Sequence, residues 1–291
     1  LPDLGPLQMP ISQCGYAVTA VFFFLSGYGC SFSIKKLDSE KRAKNALLWF
    51  FKHSVRLFLG FVIIFALNIL LFEIFGIKEG VSFREIIKNF LTMTLPTYVS
   101  WYPKIQIACY AVLAFGYCIS KKNYTYITLG VTIVYIVILA VLNVYSMWYT
   151  SVICFPIGLL CAQNINLFAQ LKNKTVLSLL LLSIATFGVI FTVQLYMFTI
   201  PLRMLSVLFI PVILVTATYY IEFNSKLLSY IGNISFEIYL IHLVLIRVFE
   251  HSGYDSGILL ILTVFISVVM GILVNKLAVF MNKKIFESIK A

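Results

Sequence analysis

Charge is what this sequence most lacks. Acidic and basic side chains make up only 11% of its 291 residues, against 61% apolar residues, whereas soluble domains carry about 25% charged residues. A globule of this composition has too few polar side chains to cover itself in water, so a soluble enzyme, a DNA-binding protein and a disordered linker are all excluded. No polar segment is long enough to form a separate soluble domain, and no internal repeat is visible. The six cysteines (Cys14, Cys30, Cys109, Cys118, Cys154, Cys161) form no CxxC pair, so they read as small side chains within apolar stretches and not as a zinc site or disulfide framework. A Walker A loop, a GxSxG elbow, an HExxH helix and a GxGxxG turn are also missing, which removes the familiar nucleotide folds and soluble hydrolase triads.

What the chain has in abundance is apolar runs of about 20 residues, the length of one bilayer crossing. Nine are read, approximately Ala17–Ile34, Arg56–Phe75, Val99–Ile119, Tyr124–Val144, Thr150–Ala162, Val176–Phe198, Arg203–Ile221, Ile234–Phe249 and Gly257–Val279. Backbone groups in hydrocarbon must pair within their own segment, so each run is expected to be an α-helix and the fold an all-α polytopic transmembrane bundle. The fifth run is short and contains Pro156, which suggests a kinked or re-entrant element. With the first run crossing from outside to inside, segments 35–56, 121–122, 172–174, 226 and 276–290 face inward and hold 16 of the 22 basic residues. That asymmetry favours an external Leu1 and a cytoplasmic C-terminus and accounts for the net charge of +11. The opening LPDLGPLQMP carries no initiating Met and no basic, signal-like region, so a preceding helix is expected.

The one sizeable external connection, Gly76–Tyr98, contains VSFREIIKNFLTM. Phe83, Ile86, Ile87, Phe90 and Leu91 fall on one helical face there, as in an amphipathic helix on the membrane surface, lidding a cavity, or packed on the bundle as a solvated connector.

Ionisable groups at bilayer depth are costly and therefore candidates for function. ISFEIYLIHLVLIR places Ser235, Tyr239 and His242 at i, i+4 and i+7 on one face, while Glu237 points about 140° away from His242. Tyr239 and His242 either line a polar cavity or form a satisfied packing pair. FFKHSVR brings Lys52, His53 and Arg56 to the inner end of the second run, where they either snorkel to the interface or hold an anionic cytosolic ligand. SWYPKIQIACY sets Trp101, Tyr102, Lys104 and Gln106 at an outer helix entrance, as an aromatic belt or as cavity residues. Arg203, after Pro201, is similarly an interfacial anchor or a cavity residue.

Five segments in order resemble the acyltransferase-3 family of integral membrane acyltransferases. AVFFFLSGYGCSFSIKK is similar to its FFxLSGF/Y helix, WFFKHSVRLF to its RxxR segment, and SWYPKIQIACY to its W[FY] helix start. SVICFPIGLLCAQ resembles its FxxGxxxA helix, and IGNISFEIYLIH its closing GxxSYxIYLxH motif. The similarity covers roughly residues 15–245. Two departures are visible: His53 stands at the first Arg of RxxR, and Phe236 at the first Tyr of SYxIYLxH.

The resemblance implies a single ten-helix membrane domain over residues 1–291, lacking its first helix and with it the family's proposed catalytic His. It implies an acyl group, usually acetyl from acetyl-CoA, delivered to a hydroxyl on a cell-envelope or exported polysaccharide at the bacterial cytoplasmic membrane. On this reading Arg56, with His53 and Lys52, holds CoA phosphate. Tyr239, His242 and Ser26 line the central cavity, and Trp101 and Lys104 lie nearer the acceptor. No resident cofactor or metal and no nucleic-acid partner is expected. The alternatives are a secondary transporter or flippase for an envelope glycan or small anion, and a non-enzymatic scaffold.

Overall fold

The structure is a computed structural model that describes residues 14–37, 40–77, 82–95, 101–197, 199–221, 225–253 and 256–288. Among these residues the regular elements are helices, with no strand. They are α1 (Gly15–Lys35), α2 (Arg42–Ile74), α3 (Phe83–Leu91), α4 (Trp101–Ile119), α5 (Tyr124–Val141), α6 (Cys154–Gln163), α7 (Ile165–Ala169), α8 (Asn173–Tyr196), α9 (Ile200–Ala217), α10 (Lys226–His251) and α11 (Ser256–Ser288), with a single 3₁₀ turn at Ser146–Trp148. The fold is all-α and polytopic.

Each of the nine apolar runs contains a helix, and seven of these helices are long and apolar enough to cross a membrane: α1, α2, α5, α8, α9, α10 and α11. The fifth run forms α6, a shorter apolar helix of 10 residues, about 15 Å long and half a bilayer core. Pro156 is its third residue. It therefore sits in the first turn, where its missing N–H removes no intrahelical bond, and it starts the helix without kinking it. The second run begins much earlier than its hydropathy predicts, because RAKNALLWFFKHSVR is already helical. Ala, Leu, Lys and Arg are strong helix formers, so the backbone ladder continues after the apolar character ends.

The described residues divide into two compact units, one within 51–107 and 225–288, the other within 14–50 and 108–221. In the first, Phe61, Ile64, Phe65 and Phe72 of α2 share a buried core with Leu240, Ile241, Val244 and Val248 of α10. α10 and α11 pack as an antiparallel pair: Gly271 abuts Ile238, and Asn275 Nδ2 donates to the Asn233 carbonyl at 2.7 Å. In the second unit α1 and α6 cross with backbones nearly touching. A methyl at Gly27 would collide with the Phe155 carbonyl, and one at Gly158 with the Phe24 carbonyl and, at 2.8 Å, the Tyr28 nitrogen. Small residues are how membrane helices reach that closeness.

α3 is the expected amphipathic helix. The Phe90 ring packs 5.7 Å from Phe65 and 6.3 Å from Phe58, and Ile86 packs on the core. Phe83, Ile87 and Leu91, at i, i+4 and i+8, stay exposed as an apolar stripe. The helix starts at a capping box in which Glu85 N donates to Ser82 Oγ, and Ser82 N and Oγ donate to Glu85 Oε2 at 3.3 and 2.7 Å. Removing the cap with Ser82→Ala is expected to lower local helix stability by about 1 kcal/mol. Faster amide exchange across Phe83–Leu91 would register the loss.

Candidate functional site

The costliest group inside the first unit is Glu237, whose side chain is 1% exposed. An isolated carboxylate there would be strongly destabilising, and two neighbours answer it. Arg56 Nη2 of α2 donates to Glu237 Oε1 at 3.5 Å, and Asn275 Nδ2 of α11 donates to the same oxygen at 3.1 Å. The pairing is incomplete. Glu237 Oε2 and Arg56 Nε are both buried with no hydrogen-bond partner, while the Arg56 side chain as a whole is 39% exposed.

That exposure opens onto a cavity of about 240 Å³ lined by Arg56 and by Tyr230, Asn233 and Ile234 of α10 together with Asn275 and Lys276 of α11. Lys276 is a second cation in its lining. Lys52 lies exposed and His53 half-buried on the turn of α2 before Arg56, and neither lines this cavity. A cavity lined by two cations, one of them also bonded to a buried carboxylate, suits an anion: Arg supplies a planar fork of N–H donors matched to phosphate or carboxylate oxygens.

Further along α10, the Tyr239 and His242 rings lie 5.8 Å apart, as their i, i+3 spacing requires. His242 Nδ1 is 2.7 Å from the Tyr239 carbonyl oxygen. A carbonyl can only accept, so Nδ1 carries the hydrogen of this contact. The expected divergence of Glu237 and His242 is seen as separate partners, Glu237 with Arg56 and Asn275, His242 with its own helix. Ser235 donates to the Gly232 carbonyl at 2.8 Å.

The start of α4 meets this face. Tyr102 packs edge-on to Tyr239 at 5.5 Å and tilted to Phe236 at 6.3 Å, and its hydroxyl donates to Gln106 Oε1 at 3.2 Å. Trp101 is buried beside Tyr102, and Lys104 Nζ donates to Thr94 Oγ1 at 3.0 Å. Ser26 belongs to the second unit, where its hydroxyl is 3.2 Å from Tyr110 Oη. The structure thus joins Arg56 to Glu237, and Tyr239 to His242 and the Trp101–Lys104 segment.

Several groups escaped the sequence reading. Asn275 lies in a run that reads as featureless apolar helix, and Lys276 reads only as one of the inward-facing basic residues. Asn68 of α2 is fully buried with neither carboxamide atom hydrogen-bonded. In the second unit the Arg203 guanidinium sits 4.9 Å over the Tyr16 ring, and Ser206 Oγ donates to Tyr16 Oη at 3.1 Å while accepting from Gln194 Nε2 at 3.2 Å. Arg203 is therefore held within protein, 9% exposed, and not at an interface. Only its charge was a signal in the sequence, since Tyr, Ser and Gln in apolar helices carry none alone. The six cysteines are free thiols. Among the described residues no cluster of His, Cys, Asp and Glu is placed to hold a metal ion.

The match to known families agrees with this architecture. A family model described as an acyltransferase domain matches residues 4–277. No curated protein matches the chain, and no solved structure does. With almost its whole length covered, and with polar and ionisable side chains gathered inside otherwise apolar helices, the chain belongs to the acyltransferase-3 family of membrane acyltransferases.

Proposed function

We propose that the protein is an O-acyltransferase of the bacterial cytoplasmic membrane, taking acetyl from acetyl-CoA and placing it on a hydroxyl of a cell-surface or exported polysaccharide. In this reaction the acceptor oxygen attacks the thioester carbonyl carbon, the carbon–sulfur bond breaks, and the thiol leaves with the proton that the alcohol gives up. The reaction needs an anion seat for the donor and a group that accepts a proton. The observation that supports the reading most is the Arg56 cavity, within a chain of this family: a half-exposed guanidinium with spare donors, at a depth where an unused charge is costly.

Arg56 is assigned to the phosphates of the donor, with Lys52 and His53 on the approach to it. The preponderance of Lys and Arg in the segments flanking this end of α2, α10 and α11 supports a cytoplasmic donor side and a cytoplasmic C-terminus. Tyr239 and His242 are assigned to the lining of the acyl-transfer cavity. Trp101 and Lys104 are assigned to the acceptor.

Incorporation of radiolabelled acetyl into surface glycan tests the reading, because a transporter or flippase would move glycan without labelling it. His242→Ala is expected to lower labelling by about ten-fold, the scale of one lost hydrogen-bonding group in the cavity wall, with the folded protein retained. Undiminished transfer would reduce His242 to a packing residue.

A further inference from the structure

The Arg56 cavity holds more positive charge than its buried carboxylate needs. Arg56 and Lys276 line it from two different helices, and Glu237 opposes them with one negative charge. Asn275 spends both amide hydrogens, on Glu237 Oε1 and on the Asn233 carbonyl, so it fixes the carboxylate and offers no donor to the cavity. Asn233 and Tyr230 are left to supply neutral hydrogen-bonding groups. The Arg56–Glu237 contact is long, single and bonded to one carboxylate oxygen, and Arg56 Nε beside it has no partner. Two cations lining one small cavity repel each other until an anion lies between them. At about 240 Å³ the space is below the roughly 300–1,000 Å³ of sites that enclose a drug-sized ligand, so it admits one phosphate-bearing end of a larger molecule.

We propose that Lys276, together with Arg56, Asn233 and Tyr230 of the same lining, seats a single phosphomonoester, the ribose phosphate of the coenzyme A donor, and that Asn275 positions Glu237 as its internal counter-ion. This rests on the donor reading above and deepens it: the seat would distinguish donors that carry the ribose phosphate from those that lack it. A lipid headgroup shares the phosphate chemistry, and the experiment separates the two sources.

The full chain in phosphatidylcholine nanodiscs is titrated calorimetrically with coenzyme A and with dephospho-coenzyme A. Wild type is expected to bind coenzyme A about ten-fold more tightly, the worth of one charge-assisted contact. Lys276 is exposed, so Lys276→Gln is expected to fold normally, to bind dephospho-coenzyme A as wild type does, and to lose the ten-fold preference. A preference that survives Lys276→Gln, or its absence from wild type that still binds both ligands, overturns the seat while leaving the donor reading intact. Wild type that binds neither ligand overturns both. Repeating the titration with phosphatidic acid in the nanodisc covers the lipid source. Lys276-dependent binding of that lipid, without any preference between the two coenzymes, would assign the seat to a headgroup and overturn the ribose-phosphate assignment while leaving the donor reading intact.

Discussion

Replacing Arg56 with alanine is expected to abolish measurable acetyl-CoA binding and acyl transfer and to destabilise the protein by about 2 kcal/mol. The two effects have different origins. The stability loss comes from Glu237, which keeps its hydrogen bond from Asn275 but loses the opposite charge of Arg56. Breaking a buried pair by removing one partner costs about 3–5 kcal/mol, because a charge is left without compensation. Arg56 is 39% exposed, so water already screens part of the attraction and the lower figure applies. The binding loss comes from the guanidinium donors that face the cavity. A double-mutant cycle separates them: Arg56→Leu with Glu237→Leu removes both charges and is expected to recover most of the stability but none of the binding. Thermal unfolding and donor titration in the same detergent read the two quantities. Unchanged donor binding in Arg56→Ala would remove its assigned role and leave it a structural counter-ion.

A larger stability effect is expected where no charge is involved. Gly158→Ala adds one methyl, and that methyl has nowhere to go, since the atoms it meets are the backbone of α1 at Phe24 and Tyr28. A side chain could rotate away. A helix backbone moves only as a whole, and separating α1 from α6 would uncover Phe23 and Phe155, both fully buried. The expected cost is about 3 kcal/mol or more, the upper end of overpacking penalties, seen as loss of monodisperse protein and a lower Tm. Gly188→Ala on α8 is the matched control, because a methyl there meets nothing within 4 Å. It is expected to be neutral or to stabilise the helix by up to about 1 kcal/mol. Equal behaviour of the two variants would contradict the close crossing.

These two sites also show how far the sequence could be read. Apolar runs and the period of VSFREIIKNFLTM locate helices because hydropathy and side-chain direction are local properties. Where helices extend past the membrane, as α2 does back to Arg42, hydropathy reports the bilayer boundary and not the hydrogen-bonded ladder, so the ends move. The site was legible one helix at a time. Arg56 and Glu237 were visible as costly charges, and the 140° between Glu237 and His242 excluded one pairing. That Glu237 meets Arg56, 181 residues earlier in the chain, and Asn275, 38 residues later, depends on which helices are neighbours. Asn275 was invisible for a further reason: an uncharged amide inside GILVNKLAVF does not lower hydropathy enough to signal a task. Gly27 and Gly158 each belong to a motif visible in one helix, yet their meaning, two backbones in contact, is a property of the pair.

α11 runs for 33 residues, roughly 50 Å at 1.5 Å per residue, and Lys276 stands 12 residues before its last turn closes at Ser288. Val279 still lines the cavity, Ala278 is fully buried and Asn282 nearly so, so the last six residues, about 9 Å of stiff rod, extend past the last packed position. A tilt of about 10° that moves this tip by roughly 1.5 Å displaces the amide gripping Glu237 far less. Whatever grasps the tip, a crosslink or a neighbouring protein, gains a handle on the anion seat without entering it.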